Sequence, residues 1–253
     1  MILTKISRLL KPIAISLVLV MYITICWVGF TKATPTGASL TLISTDAGPT
    51  GSPASRSDAG GTINTITVDA VQQNPGWKAY VGNVSGRLVL RNANSQSIYE
   101  WTFAGSSLSG NVFISRSNSI NWTPISCASL AQIDTEDTAL GFNGGTSDSL
   151  NKTFNYTLHK AMTISDVGTI SASTCRSTAT YVNNTAQVVS ATATFQEILL
   201  SDGSRLVYGT FIDQDASGFD TNATNAITHD FQAIVGDPKN VTDYTYYFYA
   251  DIS

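Results

Sequence analysis

The stretch "QEILLSDGSRLVYGTFI", residues 196–212, carries the clearest secondary-structure signal in this sequence. Two runs rich in Leu, Ile, Val, Tyr and Phe flank "SDGS", and Asp202-Gly203 stands where a residue with positive φ closes a tight turn. The pattern therefore predicts an antiparallel β-hairpin. After Gly61 the same period of two recurs, for example in "TINTITV" (62–68) and "KTFNYTL" (152–158), and no stretch of ten residues carries a convincing helical apolar stripe. We predict an all-β fold, a single antiparallel β-sandwich of about 10–11 strands over residues 62–253.

Aromatic side chains mark a second predicted hairpin and the end of the chain. The runs "GRLVLR" and "SIYEWTF" flank the Asn-rich turn "NANS", and Trp77, Tyr80, Tyr99 and Trp101 lie in these first strands. The C-terminal "DYTYYFYA" places Tyr or Phe on both faces of one strand. Exposed aromatic side chains stack on sugars or fill protein interfaces, and a strand with two apolar faces suits strand addition between subunits. Burial within the domain is the alternative for each of them.

The first 33 residues have the composition of a membrane-targeting helix. Lys5, Arg8 and Lys11 precede an uncharged apolar run at residues 12–30. At 1.5 Å per residue this run spans about 30 Å, which suffices for a retained signal anchor. Small residues also permit cleavage of a signal peptide after Ala33. Both alternatives stay open, and both place the rest of the chain outside the cell, secreted or anchored.

A flexible spacer is predicted at residues 34–61, which are rich in Gly, Ser, Thr and Pro. Within it, "ASLTLIS" (38–44) alternates like a short strand that could add to a neighbouring sheet, or forms a slightly apolar patch of linker. The predicted organisation is thus a targeting segment, a spacer and one domain.

Charge and cysteine content restrict the partners and the compartment. The exported part carries ten basic against eighteen acidic residues, a net charge of −8, which argues against a nucleic-acid partner. Its two cysteines, Cys127 and Cys175, are predicted to form a disulfide, because an even count in an exported chain favours pairing. Two unrelated buried thiols are the alternative.

Glycosylation sequons support export. The pattern Asn-x-Ser/Thr occurs seven times, about four of which would be expected by chance. Pro124 directly follows the sequon at Asn121 and disfavours it. The remaining candidates for N-glycosylation are Asn83, Asn151, Asn155, Asn183, Asn222 and Asn240.

One acidic loop, "DQDASGFD" at residues 213–220, has the alternating oxygen ligands that Ca²⁺ prefers. The candidate ligands are Asp213, Asp215, Ser217, the carbonyl of Phe219, and Asp220. Thr224 stands where an EF-hand requires a bidentate Glu, so the pattern predicts either a looser extracellular calcium site or an Asx-stabilised turn. Calcium is the one cofactor that the sequence suggests.

Motifs of enzyme chemistry are missing from the sequence. It contains two histidines, His159 and His229, and no nucleophile elbow, zinc-binding His-Glu-x-x-His, phosphate-binding Gly-rich loop or Cys-x-x-Cys. The acids of "DTED" (134–137) are predicted to lie in a solvated loop, and "SCASLAQI" (126–133) to form one or two helical turns capped by Ser126. We therefore expect no enzyme, and a secreted hydrolase is the weakest alternative.

Several motifs in order carry a resemblance to a known group of proteins. The targeting segment and spacer precede "GWKAYVGNVSGRLVL", "SIYEWTF", "NVFISRS" and "INWTPISCAS", and "TYYFYADIS" closes the chain. In this layout the exported part resembles uncharacterised secreted or membrane-tethered β-rich surface proteins of archaea, which implies placement at the cell surface. We expect a structural or adhesive role, with self-assembly by strand addition into filaments or a surface layer. A carbohydrate-binding module is the alternative.

Overall fold

The hairpin at residues 196–212 forms as predicted and contributes two neighbouring strands to the largest sheet. Leu199 pairs with Tyr208 in an antiparallel register, and Gly203 has the positive φ of 93° that the turn requires. The Asp202 carboxylate holds the turn by accepting hydrogen bonds from the N–H groups of Ser204 and Arg205, at 2.9 and 2.7 Å. Local turn chemistry therefore sets the register of this pair.

The computed structural model describes residues 34–48, 52–103, 108–143, 145–214, 216–217, 228–238 and 244–253. Its strands are β1 Thr36–Gly37, β2 Trp77–Gly82, β3 Arg87–Arg91, β4 Ser97–Thr102, β5 Gly110–Ser115, β6 Ser126–Cys127, β7 Met162–Ile164, β8 Gly168–Ile170, β9 Ser177–Ala179, β10 Gln196–Ser201, β11 Leu206–Phe211, β12 Ala216–Ser217, β13 Thr228–His229, β14 Phe231–Gly236 and β15 Tyr247–Ile252. The helices are α1 Leu130–Ala139 and α2 Leu150–Thr153. The all-β prediction is confirmed, since strands predominate and every pair of them is antiparallel.

The largest sheet has seven strands in the order β1-β15-β5-β11-β10-β6, with β9 also paired to β10. Both faces are buried at its centre, because every residue of β10 and β11 is shielded from solvent. Successive residues of β11 enter different cores: Leu206 and Tyr208 join the first, Val207 and Phe211 the second. Layers on either side of this sheet must therefore cover it.

The first core is covered by a two-stranded sheet and the two helices. Strands β2 and β14 pair over six residues, and the Trp77 ring packs against Phe142 and Phe154 at centroid distances of 5.6 and 6.3 Å. Helix α1 begins at Ser129, which forms a capping box with Gln132. The observed cap, Ser129, lies three residues after Ser126, which was the predicted cap.

The second core lies on the opposite face, beneath the β7–β8 hairpin. Met162 and Ile164 of β7 join Phe113 there, and Trp122 packs edge-on against Phe113 at a centroid distance of 5.1 Å. A disulfide joins Cys127 and Cys175 at the margin of this second core, with their Cα atoms 4.9 Å apart. These two cysteines are the predicted pair. The 48-residue separation makes this crosslink worth about 3–4 kcal/mol by the chain-entropy account.

Some predicted elements are wrong. Residues 62–68 form no strand and are exposed, and α2 replaces the beginning of the strand expected at 152–158. The acids at 134–137 lie in α1, where Glu136 and Asp137 are buried, so the expectation of a solvated loop is wrong as well. Asp137 instead accepts a hydrogen bond at 2.7 Å from the N–H of Leu150 and so caps α2.

The N-terminal part of the described chain contributes the edge strand β1. This strand lies within the predicted spacer and pairs with β15 through Thr36 and Ala250. Residues 38–48 and 52–73 show no regular strand or helix and are exposed. The predicted targeting helix, residues 1–33 including 12–30, lies outside the described residues. Within the described ranges, no helix has the length and apolar character needed to span a membrane.

Candidate functional site

The β3–β4 hairpin is the most exposed ordered element of the described chain. Its strands pair with each other from Arg87 opposite Thr102 to Arg91 opposite Ser97, and they form a separate two-stranded sheet. The turn is held by the Asn92 side chain, whose carbonyl accepts hydrogen bonds from the N–H groups of Asn94 and Gln96, at 3.0 and 2.9 Å. The hairpin predicted around "NANS" is confirmed.

One face of this hairpin is apolar. Because side chains alternate along a strand, Leu88 and Leu90 of β3 share a face with Tyr99 and Trp101 of β4, to which they are directly opposite. These four side chains are 45–59 % exposed, although packing against a core would bury them. The Tyr99 and Trp101 rings contact each other edge-to-face at a centroid distance of 4.8 Å. The apolar face therefore presents a concentrated hydrophobic surface to solvent.

The opposite face of the hairpin carries charged side chains around the half-buried Val89. Arg87 forms an ion pair with Glu100 at 3.0 Å, and both side chains face solvent. Such an exposed pair stabilises the hairpin little, by about 0–1 kcal/mol. The hairpin is thus amphipathic, as a strand pair is when one face packs against something and the other meets water.

The other aromatic side chains singled out in the sequence belong to the cores. Trp77 donates its indole N–H to the carbonyl of Asp148 at 2.8 Å, and Tyr80 packs edge-on against Phe248 at a centroid distance of 5.0 Å. The C-terminal strand β15 sends Phe248 into the first core and Tyr249 into the second. This chain itself therefore covers Phe248 and Tyr249, while Tyr247 at the start of β15 stays 37 % exposed.

A strand-forming sequence that joins no described sheet lies between β1 and β2. Residues 62–71, "TINTITVDAV", contain seven β-branched side chains, which favour a pleated strand. The side chains of Ile63, Ile66, Val68 and Val71 are nevertheless 63–100 % exposed. Among the described residues, the segment makes no backbone hydrogen bond that would place it in a sheet. We call residues 62–71 the unpaired segment.

The predicted calcium ligands lie largely outside the described residues. This applies to Asp215, Phe219 and Asp220, while Ser217 lies in β12, which pairs with β13. Asp213 donates its N–H to the carbonyl of Asp230 at 2.8 Å, which fixes the backbone where the loop begins. Within the described part of the chain, no group of three or more His, Cys, Asp or Glu is placed to hold a metal ion. The calcium site stays a prediction.

His159 has a structural role beside the disulfide. Its ring is fully buried, Nδ1 donates to the carbonyl of Lys160 at 2.7 Å, and Nε2 accepts the N–H groups of Thr174 and Cys175, at 3.0 and 2.9 Å. An Nε2 atom that accepts from two donors must be deprotonated, so the imidazole is neutral. Burial lowers the pKa of His159, which reinforces that state. The ring has no free nitrogen with which to act as a base.

A buried charge pair links β5 to α1. Beyond the end of β5, Arg116 donates two hydrogen bonds to the Glu136 carboxylate, at 2.6 and 2.5 Å, and a third to the Tyr244 hydroxyl at 2.6 Å. Burial acts to lower the pKa of Arg116, but the hydrogen bonds and negative charge of Glu136 outweigh it and leave that pKa raised. The bidentate geometry locks the helix to the sheet.

A second buried carboxyl lies in the main sheet itself. Glu197 of β10 is fully buried and accepts one hydrogen bond at 2.9 Å, from the N–H of Ile234 in β14. Burial raises its pKa well above the ordinary value, so the neutral acid is favoured. Neither Glu197 nor the charge pair is open to a ligand.

The predicted glycosylation sites differ in exposure. Asn83, Asn155 and Asn183 are exposed, whereas Asn151 is half-buried at the start of α2. Asn183 has positive φ in a tight turn between Val182 and Thr185, a position open to a bulky modification. Asn222 and Asn240 lie outside the described residues.

No family model, curated protein or solved structure matches this chain. The candidate site therefore rests on the exposure and packing of its own residues. Only some of these residues could be predicted from the sequence. Tyr99 and Trp101 stood out as aromatic, but the contributions of Leu88 and Leu90 did not. Period-two alternation shows which residues share a face, yet it does not show whether anything covers that face.

Proposed function

We propose that this protein is an extracellular cell-surface protein with a structural or adhesive role, and that the apolar face of the β3–β4 hairpin is its contact surface. The observation that carries the proposal is the exposure of Leu88, Leu90, Tyr99 and Trp101 together on one ordered face. An apolar patch of this kind on an ordered element marks an interaction site. Self-association, by strand addition into filaments or a surface layer, is the mode that a hairpin with open edges favours.

Several features support placement outside the cell and the finer architecture that goes with it. The disulfide between Cys127 and Cys175 suits an oxidising compartment, and exposed sequons suit a glycosylated surface. We place a membrane-targeting helix at residues 1–33 and a spacer before a single β-sandwich, in which the seven-stranded sheet and the β2–β14 sheet enclose the first core. If residues 12–30 are not cleaved, they anchor the protein in the membrane.

The test is to replace the aromatic pair and to examine the native protein on its cells. Tyr99→Ser/Trp101→Ser should abolish assembly seen by electron microscopy, or cell attachment, while the protein stays at the surface by antibody labelling. Tyr156→Ser/Tyr181→Ser is the matched control, since these two tyrosines lie outside the hairpin and are 47 and 59 % exposed. Retention of the wild-type protein inside the cell, or unchanged assembly and attachment in the hairpin variant, would rule the proposal out.

Carbohydrate binding is the second candidate, favoured by the exposed rings of Tyr99 and Trp101. Aromatic rings stack on the apolar faces of sugars, although these two meet at an interplanar angle of 63° and form no flat platform. A glycan array probed with and without calcium tests this candidate. Binding that disappears in Tyr99→Ser/Trp101→Ser would support it, and a blank array under both conditions would remove it.

A further inference from the structure

We propose that the unpaired segment, residues 62–71, of one copy adds as a strand to the open edge of β4 in a second copy. This inference rests on the proposed function, because it names the partner and the contacts of the same hairpin. It joins two features that have no partner among the residues that the structure describes. One is a segment with strand-forming composition outside any sheet, and the other is a two-stranded sheet with an exposed apolar face and edges that pair with no other described strand.

The unpaired segment is suited to donate a strand. Its seven β-branched residues lose little further side-chain freedom when the backbone is extended. Two of its apolar side chains, Ile66 and Val68, share one face of an extended strand and gain by leaving water, since they are 63 and 81 % exposed. The described residues on its N-terminal side, 52–61, form no strand or helix, and five residues, 72–76, separate it from β2. The segment can therefore dock on another molecule without unfolding of the sheets.

Strand β4 is the better acceptor edge. It is six residues long and carries a single charged residue, Glu100, which is already paired with Arg87. Strand β3 has Arg87 and Arg91 at its ends, and charged residues discourage pairing at an edge. The register shift leaves Ile98 of β4 without a direct partner in β3, so the regular part of the β4 edge runs from Tyr99 to Thr102. Within the described part of the chain, β4 pairs with β3 alone.

The side chains of the two strands match in spacing. Ile66 and Val68 are two residues apart, as are Tyr99 and Trp101, so each pair occupies one face of its strand. Strand addition with these pairs on the same side would extend the apolar face by one strand. Thr65, Thr67 and Asp69 would then lie on the polar side.

The donor and the acceptor are different surfaces, which decides the kind of assembly. A contact between unlike surfaces leaves one free donor and one free acceptor on every growing chain of subunits. Assembly is therefore open-ended, as in a filament, rather than closed as in a twofold dimer. A second copy is the occupant because the isolated chain, which holds both surfaces, does not pair them.

The test is complementation between two variants of the protein purified from its native source, followed by size-exclusion chromatography with light scattering. The donor variant, Ile66→Pro/Thr67→Pro, removes consecutive backbone N–H groups, one of which must face the acceptor. The acceptor variant, Tyr99→Asp/Trp101→Asp, places charge on the apolar face. Matched controls are Ala54→Pro/Ser55→Pro in the preceding residues and Tyr156→Asp/Tyr181→Asp outside the hairpin.

Wild type and both controls are expected to form open-ended assemblies, and each variant alone to be monomeric. A mixture of the two variants should give 1:1 dimers and nothing larger, because one contact uses the intact acceptor of one and the intact donor of the other. A donor variant that assembles like wild type, or a mixture that stays monomeric, would overturn the inference. If wild type is monomeric while cell attachment still depends on Tyr99 and Trp101, this inference fails and the proposed function stands.

Discussion

Protonation of His159 should destabilise the folded protein in mild acid. Nε2 accepts hydrogen bonds from the N–H groups of Thr174 and Cys175. A protonated Nε2 is itself a donor, so it could accept neither of these hydrogen bonds. Leaving two buried N–H groups unpaired costs about 1–3 kcal/mol each. Since the pKa of His159 is lowered in the folded state, the unfolded chain takes up the proton first, near pH 6.5. Stability is therefore complete above about pH 6.5 and falls as the pH drops below it.

The difference in His159 protonation between the folded and the unfolded state limits the size of this loss of stability. Between pH 7.5 and 5.0 a single histidine with an unfolded pKa of about 6.5 contributes up to about 2 kcal/mol, provided that the folded state stays unprotonated. Urea unfolding at both pH values measures the loss as a shift in midpoint. In His159→Gln, which cannot titrate, the decline over this range should shrink by the same amount, whatever the variant's stability at pH 7.5.

His229 provides the control, because it is the other histidine of the chain and lies half-buried in β13. The acid decline should differ from that of wild type more in His159→Gln than in His229→Gln. Carboxyl groups that titrate near pH 5 contribute equally to all three proteins and cancel in the comparison. An acid decline in His159→Gln as steep as in wild type would refute the assigned tautomer and its hydrogen bonds.

Three further predictions concern crosslink, charge and metal. Reducing the Cys127–Cys175 disulfide, or Cys127→Ser/Cys175→Ser, should lower the free energy of unfolding by about 3–4 kcal/mol in urea titrations, and unchanged midpoints would contradict the bridge's role. Arg116→Met should cost about 3–5 kcal/mol because it leaves Glu136 buried without its partner, whereas Arg116→Met/Glu136→Leu should recover most of that loss; an equally unstable double variant would argue against the charge explanation. Millimolar calcium should raise the melting temperature of wild type and not of Asp213→Ala, and a wild-type melting curve that calcium leaves unchanged would reduce the acidic loop to a turn.

Local rules predicted the parts of this fold that depend on neighbours in sequence. The turn at Asp202-Gly203 and the Asn92 turn could be anticipated, because a few side chains close each of them through contacts within four residues. The same rules failed for α1. Its Glu136 and Asp137 look solvated in sequence, yet they are buried by partners that come from Arg116 and from the start of α2. Such long-range partners leave no local signal.

The candidate site was predictable only in part for a related reason. Strand-forming composition was evident in both residues 62–68 and β4, and both were predicted to be strands. Only β4 became one, because pairing depends on a neighbour and β-propensity does not specify which neighbour is present. The error at residues 62–68 was therefore informative, since a segment with strand composition and no partner among the described residues motivates the proposed pairing with a second copy.

The short strand β1 has a mechanical consequence. If the chain were held before Thr36 and pulled through the β3–β4 hairpin, the load would first reach two residues paired with β15. Their separation from β15 would free residues 38–76 to extend to roughly 130 Å at about 3.4 Å per residue, while β2 and the remaining strands of the main sheet stay paired. The protein would yield by lengthening, with its cores and its disulfide intact. Single-molecule extension should therefore show an early low-force event of that length, well separated from the rupture of the main sheet.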